Sequence, residues 1–259
     1  MTHYRESLPG GEEAGDPVVL VHGFPESSRM WGPLMDALSA QGRRCVAPDL
    51  YCLGDSQDAG PATFERNLEA LRELHGELGL GRVALVVHDW GAFIGLAWAC
   101  ENADLVSALV IADSGFFSDG KWHGMAEAMR SPQGEEIMAG IDRDGFAGLI
   151  RADGADFSEE DVDAYWRPFA EGRGREATIE FYRSMDFEKL APYDGKLSEL
   201  GVPTLLVWGT DDRFAPIAGA HRFEREIPGS RLVAIEGAGH FVFDQERERT
   251  VREVCTFLT

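Results

Sequence analysis

The chain is predicted to fold as an α/β protein around a mostly parallel sheet, on three observations. Short apolar runs rich in β-branched residues recur along it. Stretches of helix length separate them, and the alternation breaks once, between about residues 115 and 200. The runs at 18–21, 83–87, 108–112 and 204–208 are near-continuously apolar rather than alternating, as strands covered on both faces must be. Residues 30–41 and 63–78 space their apolar side chains three and four apart, the pattern of a helix with one buried face. Residues 91–102 are apolar nearly all round, which predicts a helix buried against the sheet.

From Gly115 to Leu200 strand signals are scarce, and Trp122, Trp166, Phe169, Phe181 and Tyr182 sit among acidic helical stretches such as 158–170. Strand patterning resumes at GVPTLLVWG. The expected organisation is a core of residues 1–114 and 201–259, interrupted by a helical cap over 115–200. No internal repeat or low-complexity tract competes with this reading.

Composition narrows the function. With 45 acidic against 24 basic residues in 259, the formal net charge is −21, which disfavours both sequence-independent nucleic-acid binding and a polybasic membrane anchor. Hydrophobic residues make up 44%, enough to bury a full core. The longest apolar stretches, such as 106–112, are too short to span a bilayer, and the polar, acidic N-terminus lacks the pattern of a signal peptide. Cys45, Cys52, Cys100 and Cys255 show no metal-ligand spacing, so reduced thiols in a cytoplasmic protein without a metal centre are expected.

The segment LVVHDWGAFIGLAWA passes from strand to helix through His88, Asp89, Trp90 and Gly91, the place of a nucleophile elbow. Its apex is an acid. A serine attacking a saturated carbon would leave an ether resistant to hydrolysis, whereas a carboxylate leaves an ester that water can open. Taken alone, Asp89 reads as a helix cap. Its companions outweigh that reading: His22-Gly23-Phe24-Pro25 after an earlier strand, Asp211 and Asp212 after a later one, and His240 in a glycine-flanked loop near the end.

The order nucleophile, acid, histidine and these strand-end placements resemble the α/β-hydrolase fold from about Tyr4 to Leu258. Within that superfamily, HDWG resembles the haloalkane dehalogenase and epoxide hydrolase branch. HGFPES is similar to the first loop of epoxide hydrolases, and the GDS of APDLYCLGDS is shared by both groups. Cys52 departs from the pattern, standing where glycine is usual. The resemblance implies Asp89 as nucleophile and His240 as base. Asp212, within the WGxxDxxxP pattern formed with Trp208, Gly209 and Pro216, would orient the histidine. Asp113, 24 residues after Asp89 and ending the next strand, is the rival acid; Asp211 reads as a solvated turn residue. The amides of Phe24 and Trp90 would form the oxyanion hole. His22 and His88 are expected to hold loop geometry through hydrogen bonds.

The leaving group separates the two branches. Opening an epoxide calls for a proton donor, such as a tyrosine with its free pKa of about 10, whereas a halide needs only hydrogen-bond donors. Epoxide hydrolases have two cap tyrosines; Tyr182 looks like the second, and no tyrosine lies between Tyr51 and Tyr165, leaving Tyr165 as the sole substitute for the first. Trp90 matches the halide-binding indole of dehalogenases, with Trp122 or Trp166 as candidate second donors, because Phe24 occupies the place of the asparagine that some dehalogenases use. Each of these aromatics also has a plain packing role open to it. The expectation is a cofactor-independent hydrolase that uses water to cleave a carbon–halogen bond in a small apolar substrate. Epoxide hydrolysis is the alternative, and a small-molecule receptor or cofactor-free oxygenase on the same scaffold is a reading of another class.

Overall fold

A computed structural model describes residues 3–56 and 60–259. Seven strands, β1 (Tyr4–Ser7), β2 (Val18–Val21), β3 (Cys45–Pro48), β4 (Val83–His88), β5 (Val106–Ala112), β6 (Thr204–Gly209) and β7 (Arg231–Ile235), form one sheet in the order β1-β3-β2-β4-β5-β6-β7. β1 is antiparallel to β3, and the remaining pairs are parallel. The chain steps outward from β2 to β3, then crosses back to β4, so the strand order reverses beside the β2–β4 pair. Ligands of open α/β sheets gather at such a point, beyond the strands' carboxyl ends.

The two faces of the sheet divide the apolar side chains by period two. Val19, Val21, Leu85, Val87, Leu109, Ile111, Leu206 and Trp208 join one apolar layer, while Val18, Leu20, Ala84, Val86, Val110, Ala112, Leu205 and Val207 join the other. Helices α1 (Gly32–Ala40), α2 (Phe64–Glu77) and α3 (Trp90–Glu101) follow the first strands. α3 is buried from Trp90 to Ala99, as its all-round apolar sequence requires. β1, β3 and β7 lie outside the expected runs: β1 and β7 are edge strands with mixed burial, and β3 (CVAP) holds a single β-branched residue and ends on proline. Cys52 has φ +64°, the left-handed region that explains why glycine is usual there.

Between β5 and β6 lie α4 (Gly124–Arg130), α5 (Gly134–Gly140), α6 (Arg143–Arg151), α7 (Glu159–Glu171), α8 (Gly174–Ser184) and the short α9 (Lys196–Glu199). The reciprocal bonding of Ser158 and Asp161 starts α7. Asp161 and Glu160 also pair with Arg29 at 2.9 Å, fastening these inserted helices to the loop after β2. α10 (Ala218–Glu226), α11 (Val242–Gln245) and α12 (Arg247–Leu258) complete the fold. No helix among the described residues is long and apolar enough to cross a membrane.

Candidate active site

Asp89 lies between β4 and α3 with φ +48° and ψ −121°, a conformation that costs a non-glycine residue about 1–3 kcal/mol. The surroundings hold it there: Ser114 Oγ donates to the Asp89 carbonyl at 2.7 Å, and the Ala92 amide donates to it at 3.0 Å. Two glycines allow the close approach. A Cβ on Gly23 would sit 2.8 Å from Asp89 Cγ, and one on Gly91 would sit 2.7 Å from the His22 carbonyl. The Asp89 side chain does not cap α3. Its Oδ1 instead accepts the Phe24 amide at 2.7 Å, and its Oδ2 lies 3.4 Å from His240 Nε2.

His240 follows β7, and its Nδ1 lies 2.9 Å from Asp212 Oδ2. The other oxygen of Asp212 accepts the amides of Phe214 and Ala215 at 2.7 and 2.9 Å, fixing the carboxylate's direction. Side-chain exposure is 0% for Asp212, 4% for His240 and 18% for Asp89, so the elbow carboxylate is the member of the row that water can reach. Burial opposes charge on all three, yet the row overcomes it. His240 is raised well above its ordinary pKa by Asp212 and Asp89, while His240 lowers both carboxylates.

Asp113 is wholly buried at φ +40°, with Oδ1 accepting the Gly209 amide at 2.9 Å and Oδ2 without a hydrogen-bond partner. Burial first, and the neighbouring Asp212 charge second, push its carboxyl well above the usual range. The hydrogen bond to His240 Nδ1 is made by Asp212. Asp211 is exposed, as a turn residue. His22 Nδ1 lies 2.7 Å from the Gly23 carbonyl and its Nε2 accepts the Leu50 amide at 2.9 Å, bracing the loop. His88 Nε2 reaches the His240 carbonyl at 2.9 Å, and its Nδ1 lies 3.0 Å from the buried Glu26.

The inserted helices contribute groups with no sequence signature. Asp153, just beyond α6, accepts the backbone amide of His240 through Oδ2, while its own carbonyl accepts Gln245 Nε2 at 2.6 Å. His123, the residue before α4, borders the cavity with Asp89 and His240.

Asp89 borders two cavities. A narrow one of about 30 Å³ also touches Phe24, Tyr182 and His240; a wider one of about 240 Å³ is lined by Trp90, Trp122 and Phe187. A third, of about 490 Å³, shares Phe24, Met125, Leu149 and Tyr182 with the narrow cavity and is bounded by Met129, Met138, Ile141 and Phe146. Trp90 stacks on Phe181 with centroids 3.8 Å apart and on Phe24 at 4.9 Å. Burial and the Asp89 charge push the Tyr182 phenol up, partly offset by a hydrogen bond from Trp90. The other two aromatic candidates face elsewhere. Tyr165 meets Phe157 edge-on and Trp166 stacks on Phe169 inside the inserted helices, and neither borders the cavities that hold Asp89. A helical period marks such residues as inward-facing without saying which interior they enter.

His3, Asp49 and Asp55 form a cluster of cation-ligand type, but Asp49 already accepts the Ser28 and Asp55 amides at 2.7 and 2.9 Å. It reads as loop architecture.

This sheet, elbow and histidine loop coincide with a match of residues 18–253 to the alpha/beta hydrolase family, and the chain belongs to that family. It is an α/β-fold hydrolase of the haloalkane dehalogenase and epoxide hydrolase branch. A haloalkane dehalogenase of Sphingobium indicum strain UT26S is 30% identical over 273 residues, covering 95% of this chain and 90% of that one. Epoxide hydrolase 3 of Siraitia grosvenorii is 27% identical over 286 residues, covering 92% and 89%. The crystal structure of a haloalkane dehalogenase from Bradyrhizobium elkani superposes with a TM-score of 0.83 at 24% identity, covering 98% and 92%, a likeness of fold.

Proposed function

We propose that this hydrolase cleaves a carbon–halogen bond in a small or medium-sized apolar molecule through a covalent ester on Asp89, acting in the cytoplasm with water as co-substrate and the inserted helices as its cap. The observation that carries the reading is the disposition of the Asp89 carboxylate, with one oxygen on the Phe24 amide and the other beside the cavity, 3.4 Å from His240 Nε2. Asp89 Oδ2 attacks the saturated carbon in line, and the halide leaves with the bonding electron pair against the Trp90 side of the site. No proton moves in this step.

Esterification then cancels the charge on Asp89. His240 loses one of the two carboxylates that raise its pKa, becomes easier to deprotonate, and turns into the base that takes a proton from water. Hydroxide adds to the ester carbonyl, the Phe24 and Trp90 amides hold the oxyanion, and collapse breaks the C–O bond to the alkoxide, which takes the proton from the His240 imidazolium and leaves as alcohol, restoring the Asp89 carboxylate. Asp212 keeps the Nδ1 proton in place and carries the imidazolium. An ionised carboxylate and a histidine base supply both steps, so the reaction uses neither metal nor organic cofactor. The apolar walls, with methionines at 125, 129 and 138, favour an apolar substrate.

Epoxide hydrolysis is the second reading, favoured by the Tyr182 phenol beside Asp89. In a His240→Gln variant exposed to bromoalkanes and alkyl epoxides, intact-protein mass spectrometry should show an adduct on Asp89. An unchanged mass with both classes rejects the covalent mechanism. In the parent protein, halide release identifies the first reading. Diol formation, lost in Tyr182→Phe, identifies the second. Ligand binding retained in Asp89→Asn by a parent without turnover would establish a receptor instead.

A further inference from the structure

We propose that His123 is a catalytic donor of this site, its Nε2–H binding the departing halide opposite the attack of Asp89. Three residues border both cavities that meet at Asp89: Asp89 itself, Phe214 and His123. Phe214 has no polar side-chain atom, so of the two neighbours that border both spaces with Asp89 only His123 offers polar atoms. The ring is held rather than free, packed edge-on against Phe214 with centroids 5.1 Å apart and against Tyr182 at 6.3 Å.

Its hydrogen bonding selects the tautomer. Nδ1 accepts the Ala126 amide at 3.3 Å and caps the first turn of α4, so Nδ1 carries no proton. A neutral imidazole then bears its hydrogen on Nε2. Burial lowers the basicity of His123 despite the opposing charges of Asp89, Asp212 and Glu127, and His240 adds to the lowering, so the neutral form prevails at pH 7. No protein acceptor meets Nε2 among the hydrogen bonds of the described residues. A second indicator lies next to it in sequence: Trp122 Nε1 is buried without a partner, and Trp122 lines the cavity shared by Trp90 and Asp89. Two adjacent residues that line the space beside Asp89 thus carry N–H groups without a protein acceptor among the described residues. Donors of this kind suit an anion that leaves without taking a proton. A neutral imidazole is a poor proton donor, so His123 itself serves a halide rather than an epoxide oxygen, whose proton would come from Tyr182.

This inference rests on Asp89 being the nucleophile, and its test separates the two. His123→Ser retains a hydroxyl able to cap α4 and removes the N–H; His123→Asn retains both a cap acceptor and an N–H. Bromide is titrated into each unreacted protein, with binding read from quenching of tryptophan fluorescence. Single-turnover alkylation of Asp89 is followed in the His240→Gln background with matched chloro-, bromo- and iodoalkanes. A lost hydrogen bond to a charged group should weaken bromide binding and slow alkylation by roughly tenfold to a hundredfold in the serine variant. The slowing should be greatest for chloride, whose compact charge draws most from a donor, and smaller in the asparagine variant. Unchanged bromide affinity, absence of bromide binding in the parent, or equal slowing for chloride and iodide would overturn the role of His123. Failure of every alkyl halide to alkylate Asp89 would instead overturn the nucleophile, while the bromide titration still decides His123.

Discussion

Replacing Asp212 by asparagine should leave the first chemical step running and stop the second. Asp212 Oδ1 is fixed by the Phe214 and Ala215 amides, so the asparagine carbonyl oxygen takes that place and its NH2 faces His240 Nδ1. The imidazole must then accept at Nδ1 and carry its proton on Nε2, where it cannot take another from water. The broken pair is dry, with side-chain exposures of 0% and 4%, so solvent screening gives no discount. Removing one partner of such a pair costs about 3–5 kcal/mol. On the ester-hydrolysis step that is roughly two to four orders of magnitude. A rapid-quench experiment should show about one equivalent of halide released per protein, then a stall, with the Asp89 ester visible by mass. Asp113→Asn is the control. Burial and the Asp212 charge already hold the Asp113 carboxyl well above its usual range, its amide counterpart can still accept from Gly209, and asparagine tolerates φ +40°, so turnover should change by less than about threefold. A burst and stall in Asp113→Asn with steady turnover in Asp212→Asn would refute the assignment of the acid, and equal loss in both would refute the reasoning from tautomers.

The same Asp113→Asn variant should show a gain in Tm that grows as pH rises. The folded-state pKa is raised, so at low pH folded and unfolded chains are both protonated, whereas above the ordinary carboxylate range the unfolded chain ionises first and gains relative to the fold. Scanning calorimetry from about pH 4 to pH 8 reads the difference, and a gain independent of pH would contradict it. Gly23→Ala should cut kcat by about a hundredfold while far-ultraviolet circular dichroism stays native, because its Cβ meets the Asp89 side chain and displaces the proposed nucleophile, whose placement matters to within about 1 Å. Near-parental kcat would show that the elbow yields more easily than its packing suggests.

The parallel sheet was legible because buried strands declare themselves as unbroken apolar runs: 18–21 coincides with β2, and 83–87 and 204–208 each fall one residue short of β4 and β6. The edge strands β1 and β7 were not, since a strand with one solvated side looks like any mixed-polarity segment. The elbow was legible from the chemistry of an acid between a strand and a helix. The WGxxDxxxP motif favoured Asp212 over Asp113 without deciding between them, because both follow adjacent strands; the hydrogen bond to His240 Nδ1 is made by Asp212. Trp122 and Trp166 carry the same sequence signal and enter different interiors. His123 and Asp153 were invisible for another reason. Each acts across chain separations that no local motif records, Asp153 reaching His240 from 87 residues away.

Asp153 ties the histidine loop to the inserted helices by a backbone amide, which no substitution at position 240 short of proline abolishes. A chimaera that exchanged residues between β5 and β6 for those of another hydrolase would therefore strip a support from His240 even if its own pocket were well shaped. Transplanting specificity onto this scaffold has to carry across an acid at that corner, or else re-anchor the loop by other means.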